Sequence, residues 1–245
     1  MGRYKKISLL TTIIFISMLF PSSSVYAHTH RMDKSYFEEK GDIVWHVKTS
    51  KKVIALTFDD GPHPKYTTKI LDILKKYDAK ATFFIVGENV EKNKDILLRE
   101  LAEGHELGNH TYTHPNTFTT SMPKLKEEVL RTDKAIFNVT GSHPKHFRSP
   151  GGAFDEEIVS MSKQFNYDFI LWSWWQDTKD WSRPGVSKIV RRVMACPQNG
   201  DIVLFHDYVL GQSQTPQALE IVIPKLRELG FEFVTVSKLL EIKES

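Results

Sequence analysis

The chain contains a single cysteine, Cys196, in 245 residues, so no internal disulfide can form and the disulfide-rich small-domain class is excluded. A packed core must supply the stability. Cys196 has only Ala195 and Pro197 beside it, which offer no metal partners, and it reads as a buried structural thiol. No sequence repeat and no low-complexity linker is present, which argues against a second domain. Nor is there an apolar run long enough for a membrane span, which takes about 20 residues. The candidate run, Ile7 to Phe20, is shorter and is interrupted by Ser8, Thr11, Thr12 and Ser17. Excess charge is also lacking beyond the amino terminus: without residues 1–27, which hold Arg3, Lys5 and Lys6, the formal net charge falls from +3 to zero. Bulk charge therefore gives no argument for a nucleic-acid partner or for electrostatic capture by an anionic surface.

What the amino terminus does have is the order of a secretory signal peptide: a basic start, the apolar run, then Pro21-Ser22-Ser23-Ser24 and a small-residue site ending at Ala27. Cleavage is expected before His28, with retention as an uncleaved anchor the alternative. Lipidation at Gly2 is not expected, because Lys6 stands where the myristoylation pattern needs Ser or Thr. Residues 1–27 are thus assigned as signal peptide and residues 28–50 as an amino-terminal lead-in, polar and mobile from His28 to Gly41. Residues 51–245 form the main domain, long enough to bury a substantial core.

Hydrophobic patterning in that domain alternates between strand and helix. Val53 to Phe58 reads as a buried strand. Tyr66 to Tyr77 spaces Ile70, Ile73 and Leu74 on one helical face, and Ala81 to Val86 is an apolar strand. Lys94 to Leu101 is helical, Glu106 to Asn109 leads into a histidine pair, and Leu125 to Phe137 is a longer helix. Phe147, Tyr167 to Trp172 and Ile202 to Phe205 are later strands, followed by a helix from Pro216 to Leu229 and a strand from Phe231 to Val236. Repeating β-α units point to a parallel sheet, open or closed.

Two segments carry the chemistry. Leu56-Thr57-Phe58-Asp59-Asp60-Gly61-Pro62 places adjacent carboxylates at the carboxyl end of the first strand, where parallel sheets build their active sites, although acids before a turn also serve simply as turn formers. Gly108-Asn109-His110-Thr111-Tyr112-Thr113-His114 presents two histidines four apart, a spacing that on a helical turn puts both imidazoles on one face. With Asp60 they make three ligands, the usual protein complement of a catalytic zinc that leaves a place open for water.

Three further segments follow: Phe147-Arg148-Ser149-Pro150-Gly151-Gly152, Asp177-Thr178-Lys179-Asp180-Trp181 and Ile202-Val203-Leu204-Phe205-His206-Asp207. Together and in this order, the five segments closely resemble the polysaccharide deacetylase family, the NodB homology domain or carbohydrate esterase family 4, from about Lys52 to Leu240. The resemblance implies an α/β fold, a distorted seven-fold β/α barrel of the NodB type, with a divalent metal and hydrolysis of N-acetyl groups on an amino-sugar polymer. Carried over residue by residue, it makes Asp60, His110 and His114 the metal ligands and Asp59 the general base, paired with Arg148. His206 becomes the general acid, oriented by Asp180. Trp181 and Leu204 would wall the pocket for the acetyl methyl group, and the Gly151 amide would help hold the oxyanion.

Amide hydrolysis needs these parts. An acetamide is a poor electrophile and an amine a poor leaving group, so a cation, a base and a protonated acid are all required. Zinc is the expected metal, with cobalt or another divalent ion also compatible with one Asp and two His. Signal peptide and family together suggest a bacterial exterior, secreted or wall-associated, with peptidoglycan N-acetylglucosamine the first substrate and chitin oligomers the second. No protein or nucleic-acid partner is expected, and a membrane contact only if the leader is retained. An O-acetyl esterase and a catalytically silent glycan-binding wall protein are the alternatives. Gly151-Gly152 departs from the family, in which an aromatic or other large residue often follows the Arg-x-Pro. Among the tryptophans, Trp181 is assigned to the groove and the Trp172, Trp174 pair to the core, while His63 is expected to face solvent.

Overall fold

The computed structural model describes Gly2 and residues 34–244, so the expected signal peptide lies outside the described residues. Every element belongs to the compact unit Met32–Ser245. In chain order these are α1 (Lys34–Lys40), β1 (Val53–Asp59), α2 (Tyr66–Lys76), β2 (Ala81–Ile85), α3 (Gly87–Val90), α4 (Lys94–Ala102), β3 (Glu106–Asn109) and α5 (Met122–Thr140). There follow β4 (His146–Phe147), α6 (Glu156–Gln164), β5 (Asp168–Phe169), α7 (Val186–Met194), β6 (Asp201–His206), α8 (Thr215–Glu228), β7 (Glu232–Phe233) and α9 (Val236–Glu241). No described helix is long and apolar enough to cross a membrane.

The seven strands form one all-parallel sheet in the order β5-β4-β3-β2-β1-β6, with β7 paired to the start of β1. β1 is buried along its whole length, as a parallel strand covered on both faces must be. One face packs against α2 and α8 through Ile70, Leu74, Leu219 and Val222 around Leu56 and Phe58. Helices thus wrap a curved parallel sheet, the expected seven-stranded barrel.

The distortion lies in the closure. β5 and β6 do not pair; between them runs the segment after α1. Val44 bridges in parallel to Ile170 beyond β5, and His46 bridges antiparallel to Asp201 of β6. The amide of Val44 donates to the Phe169 carbonyl at 2.9 Å and that of Val47 to the Gly200 carbonyl at 3.0 Å. Phe37, Ile43 and Trp45 are buried with Phe147 and Phe169. The mobile lead-in expected up to Gly41 therefore does not hold for residues 34–41: α1 is formed, and Phe37 is only 1% exposed.

Other expectations shift for local reasons. The strand Tyr167 to Trp172 shrinks to Asp168–Phe169, since the carbonyls of Ile170 and Leu171 accept from the Arg148 side chain. Trp174 then falls in a 3-10 turn and is 71% exposed, which removes it from the core; Trp172 is partly buried against it. The last strand stops early because the Thr235 hydroxyl accepts from the Lys238 amide and starts α9. Cys196 follows α7 and is exposed, contrary to the buried thiol expected. α6 is the clearest missed helix, capped by Asp155, whose carboxylate accepts from the Ile158 amide at 2.8 Å.

If residues 34–47 are part of the barrel, Phe37→Ala should cost about 3 kcal/mol of unfolding free energy, the usual range for emptying a buried aromatic site. Denaturant unfolding measures this. A loss below about 1 kcal/mol would mean that α1 contributes little to the fold.

Candidate active site

The strand register assembles the site. Asp59 is the β-partner of His206, and Asn109 that of Phe147, so Asp59, His110, Arg148 and His206 emerge together at the carboxyl ends of β1, β3, β4 and β6. Gly61 then turns the chain so tightly that a Cβ there would lie 1.9 Å from the Asp207 carboxylate. Only glycine fits.

Asp60, His110 and His114 each offer one ligand atom, all within 4.8 Å of one another. Asp60 Oδ1 lies 3.5 Å from His110 Nε2 and 3.3 Å from His114 Nε2, and it is buried with no hydrogen-bond donor among the described residues. An orphaned carboxylate oxygen facing two imidazole nitrogens is what a divalent cation would satisfy, and the donor set suits one. His110 Nδ1 bonds to the Arg148 carbonyl at 2.7 Å, which places its proton there and turns the Nε2 lone pair toward Asp60. Burial lowers the His110 pKa although the Asp59 charge opposes this, so the ring stays in the neutral, ligating form.

The histidines do not converge on a helical turn as the spacing suggested. Residues 110–114 form an irregular loop in which Thr111 and His114 have positive φ, 67° and 52°, as does Asp60 at 81°. Non-glycine residues rarely adopt this conformation, and it persists only where surroundings over-determine it. Here the agent is buried Glu128 on α5. One of its carboxylate oxygens accepts from the amides of Tyr112 and Thr113, at 3.0 and 2.6 Å, and from the Thr113 hydroxyl.

Asp59 accepts from Arg148 Nη1 at 2.7 Å, and Arg148 is wholly buried. Opposite Asp59, His206 Nδ1 is 2.7 Å from Asp180, whose second oxygen accepts from the His206 amide and the Thr215 hydroxyl. Burial alone would lower the His206 pKa, but the Asp180 charge and hydrogen bond, reinforced by Asp60 and Asp59, push it up to about 10. Asp180 is likewise buried, yet His206 and Thr215 hold its pKa below the usual carboxylate value.

A cavity of about 840 Å³ opens beside the site, lined among others by Asp60, His63, His114, Trp181, Tyr208 and Leu210. Trp181 takes the groove position expected of it, 56% exposed. Leu204 is buried two residues before His206 on the same side of β6, outside the cavity lining. Gly151 lies outside it as well, with φ of 66°, and exposed Phe118 fills space beside it: a Cβ on Gly151 would lie 3.7 Å from that ring. His63 does not simply face solvent; its ring is stacked between Tyr66 and Tyr208. Burial, with the Lys65 charge behind it, lowers its pKa.

Three supporting residues had no sequence signal beyond their neighbours: Glu128, Thr215 and Asp207. Asp207 directly follows His206 and is buried with one oxygen unpartnered; the other accepts from Thr67 at 2.5 Å. Burial, partly opposed by that bond, pushes its pKa up to about 7.

The parallel barrel thus carries at its strand ends a possible Asp-His-His cation site, flanked by an Asp·Arg pair and a His·Asp pair. The sequence profile described as Polysaccharide deacetylase matches residues 46–170. A peptidoglycan-N-acetylglucosamine deacetylase of Bacillus cereus is 43% identical over 206 residues, 84% of this chain and 96% of that protein. The crystal structure of the Bc1960 peptidoglycan N-acetylglucosamine deacetylase superposes with a TM-score of 0.81 at 35% identity, covering 86% of this chain and 99% of the other. Wild-type BA3943 from Bacillus anthracis, described as a carbohydrate esterase family 4 pseudoenzyme, superposes with a TM-score of 0.75 at 34% identity over 83% and 70%. The chain belongs to the polysaccharide deacetylase family, carbohydrate esterase family 4.

The His206·Asp180 pair makes a prediction in the metal-free protein. The ring should titrate near 10 by NMR, and Asp180→Asn should bring that value down by about 1 unit or more, since an adjacent anion stabilises the imidazolium. The folded value lies above the unfolded one of about 6.5, so the pair stabilises the fold fully below that pH and loses this as pH rises through about 10. An unchanged His206 titration in the variant would remove Asp180 as the cause.

Proposed function

We propose that the protein is a secreted, zinc-dependent deacetylase that hydrolyses the N-acetyl group of N-acetylglucosamine in peptidoglycan. The carrying observation is the constellation of Asp60, His110 and His114 with Asp59·Arg148 on one flank and His206·Asp180 on the other. The substrate follows the B. cereus relative of that name, matched along nearly its whole length. Export rests on the leader pattern of residues 1–27, and zinc on the donor set of one carboxylate and two imidazoles.

A divalent cation held by Asp60, His110 and His114 would polarise the acetamide carbonyl and acidify a water molecule. Asp59, paired with Arg148 at 2.7 Å, takes the proton as water adds to the carbonyl carbon. The amino-sugar nitrogen cannot leave as an anion. His206, held protonated by Asp180, delivers the proton that lets it leave as the amine. Acetate and the free amino sugar are the products. The Gly151 amide is proposed to support the developing oxyanion, and Trp181 and Leu204 to border the acetyl methyl group.

The test is acetate release by residues 28–245, metal-stripped and then titrated with zinc or cobalt, on N-acetylglucosamine oligomers, peptidoglycan and acetylated xylan in parallel. Metal-restored release from peptidoglycan is expected. Release only from xylan would replace the amide by an ester substrate; one bound metal without any release would overturn the substrate, and neither metal nor release would remove the enzymatic reading. Asp59→Asn should keep the cation and lose turnover by about 100-fold or more, whereas His110→Ala should lose both. Metal content by mass spectrometry of the native protein separates the two losses.

A further inference from the structure

His63 is held more firmly than a loop residue at a cavity mouth requires. Its Nδ1 accepts from the amides of both Lys65 and Tyr66, each at 3.2 Å. An Nδ1 that accepts from two N–H groups carries no proton, so the neutral ring has its single N–H at Nε2. The imidazole lies between two phenol rings: Tyr66 at 5.0 Å between centroids and 22° between planes, and Tyr208 at 5.1 Å and 17°. Two stacked phenol rings hold the ring plane as the amides fix the tautomer.

The surrounding loop is braced as well. The His63 amide donates to Thr67 Oγ1 at 2.7 Å, Thr67 Oγ1 donates to Asp207, and the Tyr66 hydroxyl donates to the Gly211 carbonyl at 3.0 Å. Among the described residues, Nε2 makes no hydrogen bond, and His63 lines the same cavity as Asp60, His114 and Trp181. A ring whose plane, tautomer and supporting loop are all set, with its one donor left free in a cavity beside the reacting centre, has the properties of a preorganised recognition group.

We propose that His63 Nε2–H donates a hydrogen bond to an oxygen of the bound glycan outside the reacting acetamide, a ring hydroxyl or a carbonyl of a neighbouring sugar. This rests on the deacetylase reading and assigns to it a specificity-determining residue. The bond is made equally in ground and transition states, so it lowers KM and leaves the chemical step alone.

Kinetics of two variants in the full chain, loaded with zinc, test this on two substrates: an N-acetylglucosamine pentamer, and 4-nitrophenyl acetate, which has no ring hydroxyl and no neighbouring sugar. His63→Asn keeps an oxygen where Nδ1 accepts from the two amides and loses the Nε2 donor. His63→Gln carries an amide N–H out to the Nε2 position. Expected for His63→Asn is a KM for the pentamer raised roughly 3- to 10-fold, the worth of one hydrogen bond, with kcat and ester hydrolysis within about twofold of the parent. His63→Gln should recover most of the KM. An active parent with an unchanged KM in His63→Asn overturns this inference alone. So does an equal loss on both substrates, which makes His63 a loop brace, or an equal KM rise in both variants, which makes the ring rather than the donor important. A parent that releases no acetate from either the pentamer or peptidoglycan sinks the deacetylase reading and this inference with it.

Discussion

Arg148 holds the upper barrel together. It is completely buried, and its guanidinium donates to Asp59 and Thr57 on β1 and to the carbonyls of Ile170 and Leu171 beyond β5, while its plane lies 3.9 Å from the ring centroid of Phe84 on β2. One side chain thus ties three parts of the barrel wall across its interior. A buried ion pair seldom adds net stability, because desolvation offsets the Coulomb attraction; losing one partner, however, costs about 3–5 kcal/mol by stranding the other charge. The pair therefore enforces one arrangement of the strand ends more than it strengthens the fold. It also shortens β5, since the carbonyls that Arg148 takes are lost to any strand ladder. The partner of the base and the early end of β5 thus involve one side chain.

The cation site depends on this pair at one remove. The Arg148 carbonyl accepts from His110 Nδ1, so the same residue that pairs with the base also sets the tautomer of a ligand. The second ligand is positioned differently, by left-handed backbone that Glu128 holds from α5. Strain of this kind costs on the order of 1–3 kcal/mol per residue and survives only where packing over-determines it. A buried carboxylate bonded to consecutive amides is such a restraint.

The pattern of legibility follows from these arrangements. β1, β2, β6 and the helices α2, α4, α5 and α8 were readable because each carries its own hydrophobic period, and their ends moved by only a few residues. The candidate site residues were named through the resemblance, because the five segments stand along the chain in the family's order. What could not be read was long-range. The segment at residues 44–47 looks like a polar approach to the first strand, and only its bridges to Ile170 and to Asp201 of β6 reveal its part in the closure. Glu128 lies on an ordinary amphipathic helix, and nothing around it marks the carboxylate that shapes a loop before it in sequence. Trp174 fits a strand's alternation, but that strand ends where Arg148 takes its carbonyls.

Fold membership alone does not establish turnover, since a chain described as a pseudoenzyme superposes on this one nearly as well as a deacetylase does. What distinguishes an active site within one fold is whether each chemical part is present and also supported. Here the support is explicit: Asp59 has its cationic partner, His206 its carboxylate, Asp60 an oxygen with no donor but the place for a cation, and the histidine loop its brace. Each support involves a buried group that would be costly to leave unpaired. A scaffold free of catalytic demands would gain stability by replacing buried Arg148, Asp59 and Asp180 with apolar residues of similar size. Their joint presence, as the partners that hold one another and His206 at the strand ends, is the physical argument that this barrel is built for hydrolysis.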